Sequence, residues 1–410
     1  MNRYVTLSLS KGLHHITLLS SLFLLILVNM IQQILPAYQK IYAQHFQYAQ
    51  ELSTADLTKA DKEGLFNKAA WNKAGKNAFQ GLPVSKKFGG KDFSALETCC
   101  AFEALGKGSK DNGLNFAIGA HLLASVLPVY MHGNKAQQKE FLPPLVNGNK
   151  IAANAITEKN SGSDVFSMDG FGEKKGKEYI INCNKLYITN APIADLFLVY
   201  VMTDKKKGFF GGVSAFLVPA NAKGISVSKP KEKMGLRTCQ MGFVNFTNVK
   251  VNASQLLGEE GAGASIFNES MVWERTVLSA MLIGQLERVF DKAVLFCKQK
   301  TISGKKLITL TNIAHTLAEV QTILHAGKNL VYDAALSIDK NTRDRVVKSA
   351  MAKSFVSENG VECVKKLQLL YGGAGYLTET EIECEYRDIF ASLIYSGTTA
   401  IQKNIIAGNL

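Results

Sequence analysis

The hydrophobic periodicity of this 410-residue chain changes twice, and this change constrains the fold more than any single motif does. From Gln32 to about Leu145, apolar residues recur every three or four positions, which is typical of amphipathic helices. From Ile151 to about Leu257, short alternating or β-branched runs are separated by turn residues, which is typical of strands. The helical period returns after residues 258–261. The pattern therefore predicts an α+β protein with a helical, a β and a second helical domain.

The same changes of pattern set the expected domain bounds. The helical domain is expected over residues 30–149, the β domain over 150–258 and the helical bundle domain over 259–410. The β domain then has roughly a hundred residues, which is a usual domain size. The expected helices of the last domain cover residues 271–300, 310–338 and 343–370, with a short one from Thr398.

Residues 1–29 have a composition unlike the rest of the chain. Arg3 and Lys11 precede an acid-free apolar run from Ile16 to Val28, with the charge and length of a signal-peptide core. A signal peptide, a monotopic membrane anchor and a working protein that begins at Met30 are the alternatives. No small-x-small cleavage pattern follows the run, and the run lacks the polar face of a membrane-surface helix. We therefore expect residues 1–29 to be dispensable.

The charge balance points to an anionic partner. The 47 Lys and Arg exceed the 34 Asp and Glu, which gives +13, and such a surplus suits a nucleotide, a phosphorylated cofactor, an acidic protein or a lipid surface. The basic run Lys205–Lys207 has no interleaved aromatic residues, so nucleic-acid binding is not expected. The seven cysteines are an odd number without C-x-x-C spacing, so we expect neither a disulfide framework nor a metal site. A cytoplasmic location is favoured, while the apolar leader leaves a membrane-associated form open.

Several short stretches occur in one order along the chain. They are Ala155–Glu158 with Gly162–Asp164, Lys185–Asn190, Gly235–Arg237, Tyr371–Tyr376, Tyr386–Asp388 and Ile394–Thr398. Together they resemble the flavin-dependent acyl-CoA dehydrogenase family. The resemblance implies a helical amino-terminal domain, a central β barrel and a carboxy-terminal four-helix bundle. It also implies that FAD and an acyl thioester meet where the three domains join, usually in a homodimer or homotetramer.

The stretch from Thr157 to Asp164 offers hydroxyl and backbone N–H groups around a turn of small residues. Such a turn can hold a pyrophosphate or a ring carbonyl, although by itself the pattern is that of an ordinary loop. The resemblance implies that Ile156 and Thr157 meet the isoalloxazine edge of FAD. It likewise assigns Gly162 and Ser163 to the pyrophosphate and, for Ser163, to the neighbouring substrate.

Two residues of the Lys185–Asn190 stretch match positions that pack on the flavin in the family. They are Tyr187, which stands where a larger Trp is common, and Thr189. Without the resemblance, Tyr187 is interpreted as a strand aromatic in the core.

The position of the catalytic base departs from much of the family. The Glu that usually stands between the Tyr and Gly of the last motif is Ser396 here, and a serine hydroxyl has too high a pKa to take the proton alone. Glu274 is the candidate, because isovaleryl-CoA and long-chain acyl-CoA dehydrogenases resemble this arrangement, with the base one residue before the Arg that matches Arg275. Burial should raise its pKa, and Arg275 should limit the rise. The alternative is an exposed Glu in a first helical turn.

The remaining residues of the last motif keep roles that survive the change to serine. The resemblance implies that the backbone N–H of Ser396 holds the thioester carbonyl and so stabilises the enolate. It places Tyr395, Gly397 and Arg275 around the substrate and Thr398 at the cofactor.

The resemblance also implies that a last group of positions contacts FAD in a neighbouring subunit. At some of these positions the residue type differs from the one common in the family. Lys300 stands where Arg is common, Ser303 where Phe is common and Thr311 where Gln is common. Lys300 keeps a charge without the bidentate fork of Arg. Near the Gly372 and Gly373 pair, Gln368 sits one residue earlier than the usual Gln. We therefore expect these contacts to be weaker or differently made.

The substrate is expected to be a phosphopantetheine thioester. The Trp273–Arg275, Leu286–Arg288 and Tyr395–Thr398 segments resemble family members that act on acyl or aminoacyl groups tethered to carrier proteins. Coenzyme A and an acidic carrier protein are both compatible with the positive charge. Electron-transfer flavoprotein or dioxygen would be the electron acceptor. The alternatives to dehydrogenation are a flavin-dependent oxidase or oxygenase of the same fold and a non-catalytic scaffold without FAD.

Overall fold

The computed structural model describes residues 38–52 and 56–410, except for the side chain of Phe166. The expectation that residues 1–29 are dispensable, with Met30 as the first working residue, lies outside the described residues. The predicted order of a helical, a β and a helical domain is confirmed.

Short helices build the amino-terminal domain. They are α1 (38–50), α2 (Leu57–Glu63), α3 (Lys68–Lys76), α4 (Ala95–Gly108), α5 (Asn112–His121), α6 (Leu127–His132) and α7 (Lys135–Val146). Helix α4 begins with a capping box, in which Ser94 and Glu97 each accept a hydrogen bond from the other's backbone N–H. A π-helical turn continues α5 into α6, and the stretch Asn112–His132 has the length and apolarity of a membrane span. Since 78% of its most apolar window is buried inside the protein, it serves as a core helix.

The middle domain is the predicted β domain, one eight-stranded sheet with a hydrophobic core of its own. Its strands are β1 (Ala152–Ala155), β2 (Phe171–Lys175), β3 (Glu178–Thr189), β4 (Leu196–Met202), β5 (Val213–Pro219), β6 (Ile225–Val227), β7 (Met241–Asn252) and β8 (Leu256–Leu257), with the short helix α8 (Phe209–Gly212) before β5. Neighbouring strands follow the order β6, β7, β3, β2, β4, β5, β8, and β1 pairs with β4. Alternate residues such as Ile181 on β3, Val199 on β4 and Val249 on β7 fill the inside.

Long helices build the carboxy-terminal domain. They are α9 (Gly263–Gln299), α10 (Thr311–Asp339), α11 (Arg345–Leu370), α12 (Ile382–Phe390) and α13 (Thr399–Ala407), and a hairpin of β9 (Thr301–Ile302) and β10 (Lys305–Lys306) follows α9. Helix α9 begins eight residues before the predicted start at Met271. No side chain caps it, so the sequence carries no start signal. Gly263 lies so close to β5 that a Cβ there would stand 2.7 Å from the Val213 carbonyl oxygen.

The three domains meet at a buried polar cluster beside α9. Arg288 of α9 pairs with Glu385 of α12 at 2.5 Å and donates a second bond to Asn112 of α5. In the middle domain, the backbone N–H of Leu236 donates to Asp388 of α12 at 2.5 Å. Two stretches that carry the family resemblance, Gly235–Arg237 and Tyr386–Asp388, therefore join domains to one another. This junction fixes the position of α9, on which the candidate base lies.

Candidate active site

A buried ion pair supports the loop after β1. The Lys185 ammonium donates to Glu158 Oε1 at 2.7 Å and to the carbonyl oxygen of Ile156 at 3.0 Å. Both side chains of the pair are almost fully buried, at 0% and 6% exposure. The other carboxylate oxygen of Glu158 accepts the N–H of Asp169 at 2.7 Å. The pair therefore fixes the backbone of Ile156, Thr157 and Glu158, a role that the sequence analysis did not assign.

A bulge in β3 turns Tyr187 out of the sheet. The pairing with β7 shifts register between Lys185 and Ile188, and Tyr187 adopts the left-handed conformation at φ 57°. Its ring is 60% exposed and rests on the edge of Phe243, so Tyr187 is not a core aromatic. Beside it, the N–H of Leu186 donates to the Thr157 carbonyl at 2.9 Å. The bulge therefore brings Tyr187 next to the loop after β1.

These two segments carry the residues that the resemblance assigned to FAD in the middle domain, namely Ile156, Thr157, Gly162, Ser163, Tyr187 and Thr189. Ile156 is buried at 7% exposure, and Thr157 and Thr189 are half-buried. Gly162 and Ser163 are exposed, and a Cβ at Gly162 would meet nothing within 4 Å, so a ligand can approach this backbone. An exposed aromatic ring, a hydroxyl and open backbone N–H groups fit an isoalloxazine ring and a pyrophosphate.

Glu274 lies buried on α9 and not in an exposed first turn. Only 7% of the residue is exposed, and the Ser396 hydroxyl donates to its Oε1 at 2.5 Å. Burial raises the pKa of Glu274, while the Ser396 hydrogen bond and the Arg275 charge limit the rise. Its Oε2 is buried and has no hydrogen-bond partner among residues 38–52 and 56–410. A carboxylate with a raised pKa and one free oxygen can accept a proton.

The loop around Ser396 is fixed through its carbonyl groups. Ser396 and Gly397 have left-handed φ values of 55° and 85°. The Arg275 Nε donates to the Ser396 carbonyl at 3.2 Å, and the Gln402 amide donates to the Gly397 carbonyl at 2.9 Å. The N–H of Ser396 has no acceptor within the described part of the chain. It can therefore hold a substrate carbonyl, while Thr398 accepts from the Ile401 N–H as the N-cap of α13.

The charge of Glu274 acts on two buried tyrosine hydroxyls from other segments of the chain. Tyr395 stacks against Phe116 of α5 with ring centroids 4.5 Å apart, and Tyr200 lies on β4. The charge of Glu274 adds to burial in raising the pKa of both hydroxyls. The next residue of α5, Ala117, accepts a hydrogen bond from Asn190 at the end of β3. Helix α5 therefore connects the end of β3, which carries Tyr187 and Thr189, to the surroundings of Glu274.

Arg275, next to Glu274 on α9, interacts in turn with a buried lysine of α11. Burial lowers the pKa of Arg275 to about 10, and burial together with the Arg275 charge lowers the pKa of Lys353 to about 8. Lys353 is 2% exposed on α11, and its ammonium has no hydrogen bond to any residue that the structure describes. The Arg275 charge next to Glu274 favours any additional negative charge that forms there, and Lys353 is a second buried cation close to Arg275.

The residues assigned to cross-subunit FAD contacts lie far from Glu274 in the same chain. Lys300 ends α9, 26 residues after Glu274, which corresponds to roughly 40 Å along a helix. At the same end, Phe296 stacks on Tyr371 at 4.2 Å, next to the exposed Gly372 and Gly373. The Gln368 amide donates to the Gly375 carbonyl at 2.8 Å and so holds this turn. Within one chain these residues do not join the Glu274 cluster.

The sequence pattern did not predict a role for five residues, which are Glu158, Lys185, Tyr200, Lys353 and Gln402. A signal for Lys185 was present, because it continues the inward alternation of Tyr179, Ile181 and Cys183 along β3. A lysine at an inward position must find a buried partner. For the others, the contacts come from elements distant in sequence, and no local pattern marks them.

Comparison with known proteins gives the family. Three family models match the chain: Acyl-CoA dehydrogenase, N-terminal domain, over residues 37–149, the middle domain over 153–249 and the C-terminal domain over 261–410. An L-prolyl-(peptidyl-carrier protein) dehydrogenase from a Serratia species is 35% identical over 370 residues, which cover 90% of this chain and 95% of the relative.

Two solved structures are similar in fold and sequence. The prolyl acyl carrier protein oxidase AnaB has a TM-score of 0.88 and 36% identity, covering 91% of this chain and 98% of AnaB. PigA with FAD and proline has a TM-score of 0.88 and 34% identity, covering 91% of this chain and 97% of PigA. The chain belongs to the acyl-CoA dehydrogenase family and is an FAD-dependent oxidoreductase that acts on acyl thioesters.

Proposed function

We propose that this protein dehydrogenates an L-prolyl group held as a thioester on a peptidyl-carrier protein, with Glu274 as the base. The observation that carries the proposal is the buried Glu274 carboxylate, with one oxygen bonded to Ser396 and the other free. The Serratia relative, AnaB and PigA, which are named for prolyl or proline ligands, support the choice of acyl group.

In this reaction the Cα–Cβ bond of the acyl group becomes a double bond. Glu274 takes the proton from the α carbon through Oε2, and its raised pKa makes it a stronger base than an exposed Glu. When bound, FAD supplies the acceptor for the hydride that leaves the β carbon. The Ser396 N–H holds the thioester carbonyl, and the charge of Arg275, which bonds the Ser396 carbonyl, favours the negative charge that develops on the substrate.

The relatives favour a carrier protein over coenzyme A as the carrier of the acyl thioester. The positive charge of the chain is compatible with either carrier. Carrier proteins that are acidic would be attracted to a chain with a formal charge of +13. Dioxygen or an electron-transfer flavoprotein then reoxidises the flavin, and the rate of reoxidation in air distinguishes an oxidase from a dehydrogenase.

The test is anaerobic bleaching of the flavin bands in the purified holoenzyme. We expect rapid bleaching with the L-prolyl carrier-protein thioester, slower bleaching with the L-prolyl-CoA thioester and little with butyryl-CoA. Butyryl-CoA that bleaches the flavin as fast as the prolyl carrier protein would contradict the proposed substrate. A protein that stays colourless after reconstitution with FAD would contradict the flavin assignment itself.

We also propose that the protein works as a homodimer or homotetramer in which one copy completes the FAD site of another. The support is the roughly 40 Å between Lys300 and Glu274, together with apolar side chains exposed at the Lys300 end. Leu369, Tyr376 and Ile302 are 72%, 88% and 49% exposed there, and burial against a second copy would remove this apolar surface from water.

Replacing Leu369 by Asp is expected to shift the assembly toward the monomer and to lower the FAD content. A buried carboxylate at an apolar interface has no partner, so its desolvation opposes association. Light scattering after size-exclusion chromatography measures the mass, and the ratio of flavin to protein absorbance measures the cofactor. The matched control is Leu65→Asp in the amino-terminal domain, where the leucine is 48% exposed. Equal masses for Leu369→Asp and the unchanged protein would rule out this interface.

A further inference from the structure

The Tyr200 hydroxyl is a buried polar group without a partner. Tyr200 lies on β4, whose seven residues are all buried, and it is itself 0% exposed. Its ring packs on Phe267 of α9 with centroids 6.0 Å apart. No residue of 38–52 or 56–410 accepts from or donates to its hydroxyl. Buried hydroxyls nearly always find a partner, so this one calls for an explanation.

The position of Tyr200 places the hydroxyl at the candidate active site. Phe267, on which its ring packs, lies about two helical turns before Glu274 on the same face of α9, and the charge of Glu274 contributes to the raised pKa of the hydroxyl. Glu274 Oε2 is also buried and lacks a partner among the described residues. The pairing of β1 with β4 sets Ala155 opposite Val199, so that Ile156, at the start of the flavin-facing loop, follows beside Tyr200. Tyr200 therefore lies beside the loop after β1 and packs on the helix that carries the base.

A hydrocarbon acyl chain would leave the Tyr200 hydroxyl without a hydrogen bond, whereas a ligand nitrogen or oxygen would satisfy it. Leaving a buried donor unsatisfied typically changes an equilibrium constant by five- to a hundredfold. Sites that hydrogen-bond a substrate group discriminate strongly against analogues that lack the group. A polar acyl group is therefore favoured over a hydrocarbon one at this hydroxyl.

We propose that the Tyr200 hydroxyl donates a hydrogen bond to the amine nitrogen on the α carbon of the acyl group, and so selects α-aminoacyl over plain acyl thioesters. This inference rests on the proposed function. The nitrogen is bonded to the same carbon whose proton Glu274 takes, so it must lie near Glu274 in any reactive pose. A neutral amine accepts the bond and leaves Glu274 Oε2 free for the α proton.

The chemistry of Tyr200 suits the donor role. Burial and the Glu274 charge raise the pKa of its hydroxyl, which therefore stays protonated. A protonated amine could not accept this bond and would instead pair with the Glu274 carboxylate, which would occupy the base. Tyr200 is a specificity-determining residue in this arrangement, because it contacts the substrate but takes no part in the proton transfer.

The test compares Tyr200→Phe holoenzyme with the unchanged enzyme on two thioesters of one carrier protein. One carries L-proline, and the other carries cyclopentanecarboxylate, which has the same ring shape without the nitrogen. The measured quantity is the rate constant of flavin reduction divided by the dissociation constant of the thioester. For the prolyl thioester we expect this ratio to fall about 10- to 100-fold in the variant. With the cyclopentane thioester the same ratio should stay within about threefold, and FAD content should not change.

The matched control is Tyr179→Phe, because the Tyr179 hydroxyl donates to Glu260, which has no assigned role at the substrate. It should leave the preference between the two thioesters unchanged. Equal losses on both thioesters, or no loss on either, would overturn the role of Tyr200 while the proposed function stands. An unchanged enzyme that ignores the prolyl thioester but oxidises the cyclopentane one would overturn both.

Discussion

Replacing Glu274 by Gln is expected to lower the rate of thioester-driven flavin reduction by roughly 10² to 10⁴-fold, the usual cost of losing a general base. Glutamine keeps the size of the side chain and can still accept from the Ser396 hydroxyl, so the fold and the FAD content should persist. Single-turnover absorbance measurements with the prolyl carrier-protein thioester give the rate. Retention of the full rate would show that another group takes the proton.

The pH profile supports the same assignment. The base works only when it is deprotonated, so the rate of flavin reduction should rise as the pH passes upward through the raised pKa of Glu274. The Ser396 hydrogen bond stabilises the carboxylate and lowers this pKa. Ser396→Ala should therefore move the rising limb to higher pH and keep most of the rate above it. Loss of the reaction in Ser396→Ala with retention in Glu274→Gln would contradict the assignment.

The architecture could be predicted because hydrophobic periodicity is a local property of the chain. Strand β4 begins and ends where its β-branched and aromatic run does, at Leu196 and Met202. The start of α9 could not be predicted, since its first residues are selected by contact with β5 and not by a cap. The order of the strands in the sheet could not be predicted either, because β3 pairs with β7 across more than fifty residues.

Residues of the candidate site that have a chemical role of their own could be predicted from the sequence. Residues that hold another residue in position could not. Glu274 followed from the absence of a carboxylate at position 396, and its burial is set by α9 crossing the other domains. The same sequence gave no sign that Gln402 would hold the Ser396 and Gly397 carbonyls, since a glutamine on a short helix is compatible with many roles. Supporting residues are recognised only when distant elements are brought together.

Replacing Lys185 by Met is expected to destabilise the middle domain by about 3–5 kcal/mol and to release most of the FAD. The substitution keeps the length of the side chain but leaves the Glu158 carboxylate buried without its cation, and removing one partner of a buried pair has this typical effect. The bond to the Ile156 carbonyl is lost as well, so the flavin-facing loop loses its support. Urea unfolding measures the stability, and the flavin-to-protein absorbance ratio measures the cofactor.

Two comparison variants separate the buried pair from charge in general. Lys174, which lies in the same domain as Lys185, forms an exposed pair with Glu260, in which the two side chains are 54% and 37% exposed; Lys174→Met breaks this pair. Because water screens that pair, the unfolding midpoint should hardly move and FAD should remain bound. Adding Glu158→Gln to Lys185→Met removes the unpaired charge, so part of the stability should return, while the missing bond to Ile156 keeps FAD binding weak. A Lys185→Met protein that unfolds at the midpoint of the unchanged protein and retains FAD would show that the pair does not hold the loop.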